Sequence, residues 1–246
     1  MNYLDLFSGI GGFALGAYWA GMKFDRHYFS EVDPWAVELY QKRFPDAIPL
    51  GDIRAIKGEE LPCGDWTITG GFPCQDLSYA GAGAGLSGER SGLWSEMRRV
   101  FGKLRPQCVV VENSAALLGR GLGTVLGDMA AVGLGAEWHC IPAAAIGARH
   151  IRDRVFIIGT ARKVDNPNRE YSRGIRRQAE ANGWWTADVA ERPCLGRGTW
   201  TGEPGMARVA YGIPHGVDRL RGLGNAIVPQ IAELIFRQIK ELIWQH

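Results

Sequence analysis

Four side chains in this sequence have the types and settings to carry chemistry: Cys74, Glu112, Arg152 and Arg154. Cys74 follows the short β-branched run Trp66-Thr67-Ile68-Thr69 and the pair Gly70-Gly71, a pattern that predicts a buried strand delivering a thiol to a loop. The small-residue stretch from Ala80 to Gly85 behind it suits a nucleophile over which a loop closes, whereas the plainer alternative is a buried structural thiol. Glu112 ends the continuous apolar run Cys108-Val109-Val110-Val111, the kind of run that a buried parallel strand shows, and is either a catalytic acid or the partner of an arginine. In Gly147 to Arg154 an extended chain places His150, Arg152 and Arg154 on one side, a cationic row able to meet a phosphate or a base edge; alternatively Arg154 pairs with Glu112 or Asp153.

The elements that would position these groups alternate strand and helix. Tyr3 to Phe7 reads as a strand, Ser8-Gly9-Ile10-Gly11-Gly12 as a glycine turn, and Phe13, Leu15, Gly16 and Trp19 recur at helical spacing. Such a turn lets backbone amides approach a nucleotide-like ligand at the positive end of a helix. A second strand, His27 to Ser30, ends at Glu31, about 20 residues downstream, where a ribose-binding carboxylate is expected. Glu31 could instead charge the start of a helix from Pro34 to Phe44, although Asp33 fits that capping role better. Ile48-Pro49-Leu50 leads to Asp52, either an acceptor for an adenine amino group or a turn residue. Helical spacing is predicted over Leu93 to Leu104, with Arg98 and Arg99 on a solvated face, and over Gly123 to Val132; Ala136 to Ala145 and Val155 to Gly159 read as strands. The final helix opens at Pro229 and shows one apolar stripe, Val228, Ile231, Ala232, Ile235, Ile239, Leu242 and Ile243.

The 246 residues, 46% of them hydrophobic, can bury one full core, which favours a single α/β domain with a small appendage. A formal charge of +2 neither requires nor excludes nucleic acid, because a whole-chain sum hides patches. Five scattered cysteines without a CxxC pair indicate neither a disulfide framework nor a zinc site, so no metal is expected and a reducing compartment is. No stretch approaches membrane-spanning length and no signal peptide is visible, which gives a cytoplasmic expectation with no membrane partner. Between Lys163 and Ile213 the composition shifts to Arg, Gly, Asn and Trp with little periodicity, suiting either a nucleic-acid-binding insertion or a loosely packed linker.

Taken together, the segments resemble the C5-cytosine DNA methyltransferases of bacterial or phage type. Asp5-Leu6-Phe7-Ser8-Gly9-Ile10-Gly11-Gly12 is similar to their cofactor loop, Gly71-Phe72-Pro73-Cys74-Gln75 to their nucleophile motif and Glu112-Asn113 to their catalytic glutamate motif. His150-Ile151-Arg152-Asp153-Arg154 resembles their Gln-x-Arg-x-Arg segment and Gly224-Asn225-Ala226-Ile227-Val228-Pro229 their closing motif. Two departures stand out: His150 replaces the usual glutamine and Ser114 the usual valine. The resemblance implies a Rossmann-like, S-adenosylmethionine-dependent methyltransferase fold with a small irregular target-recognition insertion. It divides the chain into a catalytic and cofactor-binding domain at 1–162, a short target-recognition region at 163–205 and a segment returning to the catalytic domain at 206–246.

By the same resemblance, Cys74 would add to carbon 6 of a flipped-out cytosine in double-stranded DNA, making carbon 5 reactive, while Glu112 supports the ring N3 edge and Arg152 and Arg154 hold the base carbonyl and a phosphate. S-adenosylmethionine would be held by Phe7, Ser8, Gly9, Gly11, Gly12, Glu31, Val32, Asp52, Ile53, Pro73, Leu93, Asn225 and Ala226. A monomer is expected, and a companion restriction endonuclease is allowed but not fixed. A tRNA cytosine methyltransferase shares this fold, but that group resembles a Pro-Pro-Cys motif where this chain has Phe72-Pro73-Cys74. A non-catalytic DNA-binding paralogue would be expected to have lost Cys74, Glu112 or the arginines, and all are present.

Overall fold

The computed structural model describes residues 1–73, 92–148, 152–161 and 226–243. Along the chain lie β1 (Asn2–Leu6), α1 (Gly12–Trp19), β2 (Arg26–Ser30), α2 (Pro34–Arg43), β3 (Ile48–Pro49), a 3-10 turn (Ile53–Ala55) and β4 (Trp66–Gly71). They are followed by α3 (Leu93–Leu104), β5 (Cys108–Ser114), α4 (Leu117–Arg120), α5 (Leu122–Ala131), β6 (Gly135–Pro142), a second 3-10 turn (Ala143–Ile146), β7 (Asp153–Thr160) and α6 (Pro229–Ile243). The strands form one seven-stranded sheet in the order β3-β2-β1-β4-β5-β7-β6. β1 to β5 run parallel, and β7 is inserted antiparallel between β5 and β6. From β1 the chain winds outward through β2 and β3, then resumes on the other side of β1 at β4. That reversal opens a crevice beyond the carboxyl ends of the strands, the place where open α/β sheets bind ligands. Because β7 is antiparallel, its amino end reaches the same edge.

Both faces of the sheet are covered, and the central strands are mostly apolar, with Asp5, Thr67 and Thr69 as buried polar positions among them. One layer packs Phe13, Ala14 and Ala17 of α1, Tyr40 of α2 and Ile231, Ala232, Ile235, Phe236 and Ile239 of α6 against Tyr3, Phe29, Val110, Phe156 and Ile158. The other packs Trp94, Met97, Val100 and Phe101 of α3 and Val125 and Met129 of α5 against Leu4, Leu6, Ile68, Val109, Val111 and Ile157. Burying each such large side chain contributes about 1.5–3 kcal/mol, and α6 alone commits five of them, Leu234 included, to the core, which anchors the chain where it returns after residue 225. The close packing of α1 on α6 depends on a missing side chain: a Cβ on Gly16 would lie 2.5 Å from the Ala232 Cβ.

Three local expectations are corrected. The strand expected over Ala136 to Ala145 stops at Pro142, which still pairs with Asp153 but has no N–H to extend a ladder, and Ala143–Ile146 coils into a 3-10 turn. The helix expected over Gly123 to Val132 is preceded by a separate turn of helix, Leu117–Arg120, with Gly121 between them. Arg98 and Arg99 do not merely face solvent: Arg98 pairs with Asp128 at 3.4 Å, and Arg99 grips a neighbouring loop.

Under the crevice lies a buried polar chain. Thr69 Oγ1 donates to Asp5 Oδ1 at 2.7 Å and Tyr40 donates to Asp5 Oδ2 at 3.1 Å. With its proton so used, the Tyr40 oxygen accepts from His27 Nε2 at 2.8 Å, which leaves Nδ1 to accept from Tyr18 at 3.3 Å. That order requires neutral His27 protonated on Nε2, in keeping with burial that lowers its pKa to about 4. Burial pushes Asp5 the other way, up to about 7, against the hydrogen bonds from Thr69 and Tyr40.

Candidate active site

The first side of the site is built by the turns after β1, β2 and β3. Phe7 takes a left-handed backbone conformation, φ 52°, unusual for a residue with a side chain, and Gly9 follows at φ 51°. Glu31 holds this loop: its Oε2 accepts from the Gly9 amide at 2.8 Å, and its Oε1 from the amides of Val32 and Asp33 at 2.8 and 2.9 Å. A carboxylate has about four acceptor directions, so roughly one remains for a ligand hydroxyl. Asp33 supplies the helix cap, accepting from the amides of Trp35 and Ala36, which frees Glu31 from that role. Ser30 Oγ donates to the Gly51 carbonyl at 2.7 Å and fixes the approach to Asp52. Asp52 in turn caps the 3-10 turn through the Arg54 amide, and its hydrogen bonds from Arg54 hold its carboxyl below the usual range.

The second side comes from β4, β5 and β7. Gly71 is paired with Glu112, and a Cβ at that glycine would stand 3.0 Å from Glu112 Oε2, so the missing side chain leaves room for the carboxyl at the strand end. Arg154 Nε meets Glu112 Oε1 at 2.9 Å. Burial raises the Glu112 pKa to about 6, and the charges of Arg154 and Arg152 restrain it from going further. Arg152 donates to the Ala226 carbonyl at 2.9 Å and so ties β7 to the segment entering α6. Asn113, buried beside Glu112, donates from Nδ2 to the Phe72 carbonyl at 3.1 Å and accepts the Ser114 amide on Oδ1 at 2.8 Å. It thereby clamps the end of β5 to the residue two before Cys74.

These groups line one cavity of about 370 Å³, within the usual size of a small-molecule site. Phe7, Ser8, Gly9, Glu31, Val32, Asp52, Ile53, Pro73, Leu93, Glu112, Arg152, Arg154 and Ala226 all stand on its wall. Gly11 and Gly12 do not, and their small size serves packing: a Cβ on Gly11 would lie 2.7 Å from the Phe44 ring, and one on Gly12 2.4 Å from the Ile227 carbonyl. Cys74, His150, Asn225 and the whole 163–205 segment fall outside the described residues. Also on the wall, and not among the site residues expected from sequence, are Ser30, Trp35, Arg54, Phe72, Ser114 and Ile227. Trp35 could have been suspected from its place beside Pro34 in the first turn of a helix; Ser114 stood out only as a departure from valine. Among the described residues the Ser8 and Ser114 hydroxyls are buried on this wall without a hydrogen-bond partner.

Chemically, one end of the cavity offers carboxylates and backbone turns suited to a polar ligand with ribose-like hydroxyls, and the other a buried acid with two guanidinium groups suited to a heterocycle and a phosphate. Among the described residues no group of three His, Cys, Asp or Glu could hold a metal ion, and no helix is long and apolar enough to cross a membrane.

Comparison with known proteins agrees with this arrangement. The chain is 35% identical over 168 residues to the type II methyltransferase M2.BsuMI of Bacillus subtilis, covering 65% of this chain and 42% of that protein. It is 28% identical over 208 residues to M.DsaV of Dactylococcopsis salina, covering 82% and 58% respectively. Among solved structures it is similar to a prophage-encoded DNA modification methyltransferase of E. coli, with a TM-score of 0.52, 27% identity and coverage of 65% of this chain and 46% of that one. The likeness to DNMT2 of Spodoptera frugiperda, with a TM-score of 0.53 at 16% identity over 69% of this chain and 53% of that one, shows the shared fold. The chain spans about two fifths of the length of several curated relatives, 41% for M.NgoBV of Neisseria gonorrhoeae. The model of the C-5 cytosine-specific DNA methylases matches residues 1–187; with the sheet order and the grouped Glu31, Pro73, Glu112 and Arg154, the chain belongs to that family.

Proposed function

We propose that this chain transfers a methyl group from S-adenosylmethionine to carbon 5 of a flipped-out cytosine in double-stranded DNA through a covalent adduct with Cys74. The observation that carries the reading is the single cavity in which the Glu31 end and the Glu112–Arg154 end meet across Pro73, the residue that precedes the cysteine.

The fit to the methyl donor rests on the Glu31 wall. Its carboxylate is fixed by three backbone amides with an acceptor direction left over, Val32 stands two-thirds exposed (67%) at the rim where a flat ring could cover it, and Ser8 Oγ has no other partner among the described residues. Glu31 would take a ribose hydroxyl, Asp52 and Leu93 the adenine, and Ala226 would border the methionine end. When bound, the donor supplies an electrophilic methyl group.

The chain's own residues do the rest. Cytosine carbon 5 is a poor nucleophile. Addition of the Cys74 thiolate to carbon 6 forms a C–S bond and moves the ring π-electrons toward carbon 5 and N3; carbon 5 would then bond the methyl carbon as the donor's sulfur–methyl bond breaks and its sulfur leaves as a thioether. Glu112 in its acid form hydrogen-bonds N3 and offsets the charge that gathers there. Arg154 orients that carboxyl and, with Arg152, faces the base carbonyl and the flanking phosphate. Loss of the carbon 5 proton then returns its electron pair to the ring and expels the Cys74 thiolate.

Bisulfite sequencing of DNA from a host expressing the chain tests activity and target together. Purified Cys74→Ala should bind S-adenosylmethionine as the wild type does yet incorporate no labelled methyl into DNA; transfer at a near wild-type rate would sink the nucleophile assignment. Label appearing in tRNA but not in duplex DNA would replace the substrate.

A further inference from the structure

From α3, Arg99 reaches across to the loop carrying Asp52. Its Nη1 donates to the Ile56 carbonyl at 2.5 Å and its Nη2 to the Ile53 carbonyl at 2.9 Å, while Nε is held by Glu96 at 2.7 Å. The 3-10 turn Ile53–Ala55 is thus held twice: Asp52 receives the Arg54 amide at its start, and the Arg99 guanidinium takes the carbonyls of Ile53, its first residue, and of Ile56, which follows it. Carbonyls at a helix end carry partial negative charge, so a fixed cation there is favourable. Without Arg99 the Ile56 carbonyl would look to water and the turn would keep only its apolar packing on α3. The Ile53 carbonyl would keep only the bond from the Ile56 amide, 3.2 Å long.

The position of Arg99 along α3 gives this clamp a functional consequence. Leu93, the first residue of α3, stands on the cavity wall, and so do Asp52, Ile53 and Arg54. Those two walls come from separate parts of the chain. They are joined by the apolar packing of Ile53 and Ile56 on the helix and by the Arg99 fork. Apolar packing tolerates sliding, whereas a planar guanidinium bonded to two carbonyls fixes both distance and orientation. We propose that Arg99 is a positioning residue that sets the spacing between the Leu93 wall and the Asp52–Arg54 wall, and through it the affinity for the adenine end of the methyl donor. The inference rests on the cofactor reading given above. Arg99 touches no ligand itself. Lysine cannot replace it fully, because a single ammonium does not present two parallel N–H groups to carbonyls three residues apart.

The test uses the full chain with Arg99→Met and Arg99→Lys. S-adenosylmethionine and S-adenosylhomocysteine binding are measured by calorimetry, steady-state methylation gives KM and kcat, and amide hydrogen exchange is followed at Ala55 and Ile56. Arg99→Met should weaken both nucleosides about tenfold or more and raise the KM for the donor equally. At saturating donor, kcat and the KM for DNA should stay within about twofold of wild type. Arg99→Lys should recover part of the loss. Exchange at Ala55 and Ile56 should quicken in the free variant and slow again when S-adenosylhomocysteine is added. Unchanged affinity in both variants overturns the proposal, as does a fall in kcat that tracks a lower melting temperature at unchanged KM, the mark of a purely structural residue. Should Arg99→Met fail to fold, Arg99→Lys with unaltered affinity and exchange is equally decisive. A wild-type protein that binds neither nucleoside removes the cofactor reading and this inference together, an outcome distinct from variants that bind as well as wild type.

Discussion

Glu112→Gln separates an acid that works from a carboxylate that merely pairs with Arg154. The substitution keeps the shape and the hydrogen-bonding oxygen but removes the titration. With the Glu112 pKa near 6, half of the free enzyme carries the acid at pH 6 and only about 1% at pH 8, a roughly 50-fold fall. The assay is labelled-methyl transfer at limiting DNA, because kcat/KM reports the free enzyme's groups. Ionisation of the Cys74 thiol affects both proteins alike and cancels in the ratio of wild type to variant. If the acid assists by a factor on the order of 100, that ratio should be about 50 at pH 6 and shrink to about twofold by pH 8. Removing the charge of Arg154, which holds the Glu112 pKa down, should carry the decline to higher pH. A ratio near one at pH 6, or one that stays constant from pH 6 to 8, would refute the general-acid role and leave Glu112 as a structural partner of Arg154.

Stability should depend on pH through the buried pair Asp5 and His27. Asp5, raised from 3.8 to about 7, gives stability that is fully present below pH 3.8 and lost as pH rises through 7; His27, lowered from 6.5 to about 4, gives stability present above 6.5 and lost as pH falls through 4. The two slopes oppose each other between about pH 4 and 6.5, and Glu112, raised from 4.5 to about 6, adds to the fall; the stability of Asp5→Asn relative to the wild type, read from urea unfolding, should therefore rise by about 1.4 kcal/mol per pH unit in that range, and parallel curves for the two proteins would contradict the assignment. Neutralising Arg173, Arg176 and Arg177 together should flatten the salt dependence of DNA binding by about one log-log unit for each arginine that neutralises a phosphate and change the mapped methylation sites. Unaltered slope and sites would make 163–205 a spacer.

Much of the fold was legible because the informative residues repeat or punctuate. The runs Trp66–Thr69 and Cys108–Val111 are β-branched, unbroken and closed by glycines or by Glu112, and both are central strands whose ends carry the site. The apolar positions of Leu93–Leu104 gave that helix its observed bounds, with Trp94, Met97, Val100 and Phe101 buried. Polar positions were less informative, since periodicity says only that Arg99 points away from the core. That a loop from more than forty residues earlier lies over it is a tertiary fact with no local signature. Gly11 and Gly12 show the converse. A glycine turn suggests ligand binding, yet the nearest atoms belong to Phe44 and Ile227, so the absence of side chains there was required by packing from α2 and by the approach to α6. Ser114 was visible as an oddity, but only its buried, unpartnered hydroxyl on the cavity wall gives the oddity a physical cost.

The two carboxylates of the cavity illustrate how position along one sheet sets chemical role. Glu31 is held by backbone amides, neutral donors that steer its oxygens toward accepting hydrogen bonds, as a sugar hydroxyl requires. Glu112 lies deeper, at 8% exposure beside the Gly71 strand end, with Arg154 at 2.9 Å. Burial alone would leave it a permanently neutral acid, and the two arginines without burial would leave it a permanent anion. In the proposed reaction either extreme would fail a step: the first could not balance the arginines before the base arrives, and the second could not donate to a ring nitrogen as charge develops. Opposed, they bring it to about 6, where both forms are accessible near neutrality. The antiparallel β7 is what makes the opposition available. A parallel strand in that place would send its amino end, and Arg152 and Arg154 with it, to the far edge of the sheet.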